Sequence, residues 1–410
     1  MGDSIQTADP RPISVLVVGA NGYLGLAICR AFLRAAAPGA HEDRGRDAGP
    51  CPYRVYGLVR RPSAAHDLAA NEVTPIVSDL ADVAGTLRKV LSHSVWWDVI
   101  VTCTEPAKTD PAVETQHWNA VLELVVGLGE ASSRLVVPGS PGRRRPFVLW
   151  SSGCKDYGTT GLHGDPDLQP HTETSPLDAP PPIRGRTDAA LRALGSTRAT
   201  GNSNGVPVFD VAVVRATPVY GYSGSHFGAA FEYASRAAAA RDQHENAQDT
   251  VDFAADAGTI SHSLHVGDCA EAYVALAATV LSDEVDSDGR HVGLHAIAGK
   301  FFNVLGRRYE TLKEVGAALA AEYGFTGGAR FGLSPGEIPA DDMTGLLVFG
   351  WSQWADSDKI RHVTGWADRR PLFSENVGVY RLAYEVAKTQ GSDNVGSISR
   401  RMAGDWGERK

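Results

Sequence analysis

Ile13-Ser14-Val15-Leu16-Val17-Val18-Gly19-Ala20-Asn21-Gly22-Tyr23-Leu24-Gly25 is the stretch from which the fold is read. The β-branched run Ile13–Val18 is short and stops at a glycine, as a buried strand does, and helix-like spacing follows from Tyr23 to Leu33. Three glycines fall where a strand–turn–helix unit needs them. Gly19 permits the tight turn, Gly22 lets backbone approach a pyrophosphate, and Gly25 lets the helix pack on the strand. Amides at the helix N-terminus then face the negative charge. Gly19, Gly22 and Gly25, with Asn21, Tyr23 and Leu24 between them, are therefore expected to cradle a dinucleotide.

Outward from this unit, short apolar runs recur at Arg54–Val59, Val73–Val77, Val99–Thr102, Phe147–Trp150 and Val208–Val214. Helix-length stretches such as Ala81–Leu91 and Trp118–Gly127 separate them. The alternation predicts an α/β fold, a Rossmann-type doubly wound parallel sheet with helices on both faces. Residues 13–215 are expected to form this nucleotide-binding domain, with polar insertions near 38–52, 138–146 and 196–207. Beyond about Thr217 the pattern is less regular, which suits 216–385 as mainly a smaller substrate-binding lobe, followed by a polar tail over 386–410.

The ends of the strands carry the candidate cofactor contacts. After the second strand stand Arg60 and Arg61, where an NAD-preferring site usually has an acid; two guanidiniums suit the 2′-phosphate of NADP. A solvated basic turn is the alternative. Asp79, followed by Leu80, ends the third strand and is placed to accept a hydrogen bond from an adenine amine, or else to serve as a helix N-terminal acid. Thr102 and Thr104 follow the fourth strand, near the expected ribose and nicotinamide. The expected cofactor is NADP(H).

Composition removes several function classes. The 410 residues are 43% hydrophobic and 21% charged, enough apolar mass for a sizeable core. Net charge is −9, which argues against a nucleic-acid partner. Five scattered cysteines form no CxxC pair, and His262 and His265 have no third ligand at metal spacing, so no metal is expected. No Gly-x-Ser-x-Gly elbow supports a hydrolase. Residues 1–12 lack an apolar leader core, and no apolar run has membrane-spanning length; a cytoplasmic protein without a membrane partner is expected.

These residues resemble the extended short-chain dehydrogenase/reductase superfamily, of the epimerase/dehydratase type. The resemblance continues in Val214-Arg215-Ala216-Thr217-Pro218-Val219-Tyr220-Gly221, in Leu264-His265-Val266-Gly267-Asp268, and in Ser357-Asp358-Lys359 with Thr364-Gly365-Trp366. It spans roughly residues 13 to 385, and a homodimer through sheet-flanking helices is what it allows. The superfamily's Tyr-x-x-x-Lys should lie near residues 180–190, where Ile183 and Thr187 stand instead. Neither side chain can replace a phenol acid or its activating cation, so that dyad is missing.

A second resemblance covers Gly153-Cys154-Lys155-Asp156-Tyr157, which is similar to the segment carrying the functional lysine of progesterone 5β-reductase/iridoid synthase-like enone reductases. It implies Lys155 as the catalytic cation, unless Lys155 is a solvated loop residue. Ser151 and Ser152 fall where the superfamily keeps a hydroxyl against the substrate carbonyl, and Tyr157 is a candidate acid or a packing residue. Tyr222, His226 and Phe227 are expected to line the substrate pocket. Three functions follow from the resemblance: an NADPH-dependent oxidoreductase reducing a small carbonyl or enone compound; a redox-neutral isomerase, cyclase or lyase on the same scaffold; or a non-catalytic NADP sensor. The setting implied is specialised metabolism or detoxification.

Overall fold

The computed structural model describes residues 11–36, 51–106, 110–135, 145–199, 207–224, 226–243, 248–282, 284–334, 337 and 349–396. Strands β1 (Ile13–Val18), β2 (Tyr53–Val59), β3 (Thr74–Val77), β4 (Val99–Thr102), β5 (Phe147–Gly153) and β6 (Asp210–Ala216) are joined by a seventh, Phe301–Val304. All pair in parallel, in the order Phe301–Val304, β6, β5, β4, β1, β2, β3. The chain reverses its direction of travel between β1 and β4, so a crevice opens at their carboxyl ends, where open α/β sheets bind ligands.

Strand alternation builds two hydrophobic layers. Val15 and Val17 of β1 face one side, with Val99 and Val101 of β4, against α1 (Tyr23–Arg34) and α2 (Pro62–Ala69). Leu16, Val18 and Ile100 face the other, against α3 (Val83–His93), α4 (Pro111–Ser133) and α5 (Pro181–Ala199). Because both faces are covered, the strands read as continuous apolar runs. The six expected strands are observed, with boundaries moved by a few residues. Asp82 and Asp110 start α3 and α4 by accepting hydrogen bonds from first-turn amides, which extends both helices beyond their apolar cores.

The second half of the chain forms a lobe around Phe227, Phe253, Leu319, Phe373 and Tyr384, with α6 (His226–Gln243) across it. Two expectations about this half need correction. It returns to the nucleotide domain: Phe301–Val304 completes the sheet, and α7 (Val266–Leu281) packs beside α1 on the first layer. The supposed tail also begins inside a helix, Val377–Thr389, and Val395 beyond it is buried among the lobe's aromatics. Of the insertions, 37–50, 136–144 and 200–206 lie outside the described residues, whereas 196–199 belongs to α5.

Candidate active site

The glycine turn has the shape a pyrophosphate needs. Gly19 has φ +84°, and a Cβ there would lie 2.5 Å from the Cys103 carbonyl oxygen; one on Gly25 would lie 2.3 Å from the Gly19 oxygen. Those two glycines let the turn, β4 and α1 meet. Gly22 meets nothing closer than 3.2 Å and caps α1 without a side-chain hydrogen bond, so the first-turn amides face the crevice. Asn21, Tyr23 and Leu24 offer backbone there. The side chains of the latter two go elsewhere: the Tyr23 hydroxyl donates to the Gly221 carbonyl, and Leu24 packs on the core.

Around the crevice, Arg60 is exposed, while Arg61 caps α2 and pairs with Asp393 from beyond the C-terminal helix. Asp79 is exposed at the β3 end and accepts from the Ala81 amide at 3.0 Å, and Leu80 packs beneath it. Thr102 ends β4 with its Oγ1 buried and without a partner among the described residues, and Thr104 lies two residues on, half-buried. An orphaned hydroxyl beside an uncapped glycine turn fits a dinucleotide running over β1 and β4.

At the end of β5 the chain enters a 3-10 turn, Cys154–Tyr157. Its centre is Asp156, fully buried. Asp156 accepts from the Ser152 hydroxyl at 2.5 Å, the Thr187 hydroxyl at 2.9 Å and Arg186 Nη2 at 3.0 Å, with Arg215 Nε at 3.5 Å. Arg215 stands in the apolar strand β6 and is itself buried between the rings of Tyr157 and Phe301. A charge in that position requires a buried counter-charge, and Asp156 is it.

This network reassigns several expected residues. Ser152 is spent on Asp156 instead of facing a substrate carbonyl. The Tyr157 hydroxyl donates to Asn303 at 2.7 Å and accepts from Arg215 at 2.8 Å, and burial pushes its pKa well above the ordinary phenol range. It is a packing residue, held neutral. Ser151 shares a 2.8 Å hydrogen bond with Tyr273 of α7. Thr187 turns inward to Asp156, and Arg186, one residue earlier, takes the space over Gly153, where a Cβ would come within 2.8 Å of its Nη2. The guanidinium also lies 4.0 Å from Glu105, which follows β4.

Lys155 is set apart from this network. It lines a small cavity, about 40 Å³, with Pro218, Phe227, His262, Phe349, Trp351 and Gln353. Its Nζ lies 5.3 Å from the centre of the Trp351 ring, and no carboxylate among the described residues pairs with it. Burial, reinforced by Arg186, lowers its pKa from 10.5 to about 8. The solvated-loop alternative is therefore not what the fold shows. His262 is pinned as a neutral ring: Nε2 donates to the Gly306 carbonyl at 2.8 Å, Nδ1 accepts from Ala355, and burial lowers its pKa to about 4.

Of the three expected pocket residues, Phe227 lines this cavity. Tyr222 instead lines an outer groove beside α1, half exposed at φ +50°. The side chain of His226 lies outside the described residues. Asp156, Arg186, Trp351 and Gln353 were missed in the sequence. For the first two a signal existed in Arg215, a charge in an otherwise apolar strand that demanded partners.

No group of metal-ligating side chains occurs among the described residues, and no described helix is long and apolar enough to cross a membrane. Comparison with protein-family models and with curated protein sequences gives no match. Solved structures do match. The dTDP-glucose 4,6-dehydratase of Bacillus anthracis, in complex with NAD, aligns with a TM-score of 0.60 at 14% identity, over 92% of this chain and 98% of that one. The UDP-glucose 4-epimerase of Bifidobacterium longum, in complex with NAD+ and UDP, gives 0.57 at 16%, over 92% and 99%. That of Thermus thermophilus, in complex with NAD, gives 0.58 at 15%, over 92% and 100%. At such identities the likeness establishes the fold.

Proposed function

We propose that this chain, whose fold is that of the extended short-chain dehydrogenase/reductases, binds NADP(H) over the glycine turn and reduces a small carbonyl or enone compound with Lys155 as the group on the substrate oxygen. The observation that carries this reading is Lys155 itself: a half-buried, largely desolvated ammonium with no anionic partner among the described residues, in a cavity bounded by Pro218 just past β6. Reduced nicotinamide supplies a hydride when bound. Lys155 holds an N–H against the oxygen that receives the electron pair and releases its proton there, leaving a neutral amine that solvent reprotonates. A pKa near 8 suits this exchange around neutral pH. Asp156, with Arg215 behind it, fixes the turn that aims Lys155.

The preference for NADP(H) over NAD(H) rests on Arg60 and Arg61. Arg60 makes no ion pair among the described residues, and the exposed Arg61–Asp393 pair is of the weak kind that a phosphate displaces.

A redox-neutral isomerisation or lyase reaction is the second reading, favoured by one feature. At the position of the missing dyad, the Thr187 hydroxyl is bound to Asp156 and the Ile183 carbonyl, and neither residue can exchange a proton with substrate.

NADPH carrying deuterium at its transferable C4 position, incubated with the protein and a panel of enones, ketones and aldehydes, separates the two. Deuterium in a product is expected, at the carbonyl carbon or the β carbon. Conversion without label would replace this reading by the redox-neutral one, and failure to bind NADPH would remove both.

A further inference from the structure

The segment after the C-terminal helix Val377–Thr389 is fastened to three parts of the molecule by consecutive residues. Asp393 pairs with Arg61 at the start of α2, Asn394 Nδ2 donates to Ser223 Oγ at 3.3 Å, and Val395 is buried in the lobe core. The Gly396 N–H donates to the Ser392 carbonyl at 3.0 Å, so the segment is itself a hydrogen-bonded turn. These contacts close a ring with the glycine turn. From Ser223 the chain leads back to Gly221, whose carbonyl takes the Tyr23 hydroxyl at the head of α1. From Arg61 it leads back to Leu58, whose carbonyl takes the Gly19 N–H at 3.0 Å. Residues 392–396 are thus the far link of a ring that begins and ends at the expected pyrophosphate turn.

Charge singles out Asp393 within that link. A guanidinium suited to a 2′-phosphate already holds an anion, supplied from 332 residues along the chain. The carboxylate is 64% exposed, so the pair is solvated and weak, whereas a phosphate makes stronger, charge-assisted bonds to the same fork. Two anions on one guanidinium also repel each other, so phosphate and carboxylate exclude one another there.

We infer that Asp393 is a specificity-determining residue: it holds down the preference for NADP(H) over NAD(H) by occupying Arg61 until a 2′-phosphate displaces it, and the displacement unfastens residues 392–396. This deepens the cofactor reading of the previous subsection and rests on it. NADP(H) spends part of its affinity on breaking the pair. NAD(H) brings a hydroxyl in place of the phosphate and leaves the pair made and the segment fastened. The coupling is reciprocal: the factor that the pair costs NADP(H) is the factor by which NADP(H) loosens the segment.

Asp393→Asn keeps the side chain's size and removes its charge. In calorimetric titrations of the full chain, the variant is expected to bind NADP+ about three- to fivefold tighter than the wild type, the upper range for an exposed ion pair, with NAD+ affinity unchanged within about 1.5-fold. Hydrogen exchange of the wild type, read on peptides spanning residues 390–396, gives the second measurement. Protection there is expected to fall at saturating NADP+ and to hold at saturating NAD+, while in the variant it is already low and NADP+ lowers it no further. Unchanged NADP+ affinity in the variant, equal gains for both nucleotides, or equal protection of 390–396 under both overturns the inference. Arg61→Ala separates this failure from that of the cofactor reading. NADP+ affinity indifferent to Arg61 would take the 2′-phosphate away from that residue, whereas affinity that falls with Arg61→Ala and ignores Asp393→Asn removes only the role of Asp393.

Discussion

Lys155→Met isolates the cost of the desolvated ammonium. Methionine keeps most of the side chain's volume and removes its charge. In the folded chain Lys155 loses its proton near pH 8, against an ordinary lysine value of 10.5. At about 1.4 kcal/mol for each tenfold change in proton affinity, the difference is ~3 kcal/mol of destabilisation by the protonated lysine. The sign follows from linkage. The penalty is complete below about pH 8, shrinks between 8 and 10.5 as the folded chain sheds the proton that the unfolded chain keeps, and is gone above 10.5. Lys155→Met should therefore be more stable than the wild type at pH 7, and the gap should close as pH rises. Unfolding entropy of about 2.1 cal/mol/K per residue gives about 0.9 kcal/mol/K for 410 residues, so the gain is about 3–4 °C in Tm at pH 7. Paired thermal unfolding curves from pH 6.5 to 10.5 make the measurement, because other titrating groups cancel in the difference. A gap that stays constant with pH, or a variant less stable at pH 7, would refute the claim that Lys155 is a desolvated cation. The same variant should lose turnover of any reducible substrate while retaining nucleotide affinity.

Three further outcomes are expected. Asp156→Asn strands Arg215 without its counter-charge and should cost about 3–5 kcal/mol, read as a fall in Tm; a change within about 1 kcal/mol would mean the network is not what holds the turn. Gly25→Ala, whose Cβ meets the Gly19 oxygen at 2.3 Å, should destabilise the fold by about 1–3 kcal/mol, whereas Gly22→Ala should leave stability nearly unchanged and weaken dinucleotide binding about tenfold or more. The reverse ranking, from melting curves and cofactor titrations of both variants, would misplace the pyrophosphate. Arg60→Asp with Arg61→Ala should weaken NADP(H) far more than NAD(H), and equal losses in fluorescence titrations would remove the 2′-phosphate from those arginines.

The sheet was legible because its determinants are local. β1 through β6 are apolar runs cut by glycine or polar turns, and the Gly19–Gly25 spacing marks a single kind of strand–helix junction. Of the candidate site, the sequence singles out Lys155 and the glycine turn but not the residues packed around them. Asp156 and Arg186 are unremarkable in sequence, and what brings them together is the register of β5 against β6, with Ser152 opposite Arg215. Trp351 and Gln353 lie almost two hundred residues from Lys155 and reach it through the second lobe. Tyr222 was misplaced for a related reason: position along the chain after β6 says nothing of the left-handed turn that swings its ring out to the groove beside α1.

The strand Phe301–Val304 also bears on the order in which the chain can fold as it is made. β6 is finished at Ala216, but among the described residues its open edge is covered by Phe301–Val304, and the ring that closes over Arg215 belongs to Phe301. Until the ribosome has delivered the lobe between them, the nascent sheet shows an unpaired apolar edge and a half-covered charge, the kind of intermediate that chaperones hold. A split, permutation or fusion that separates residues 301–304 from β6 is expected to leave that edge of the sheet unpaired.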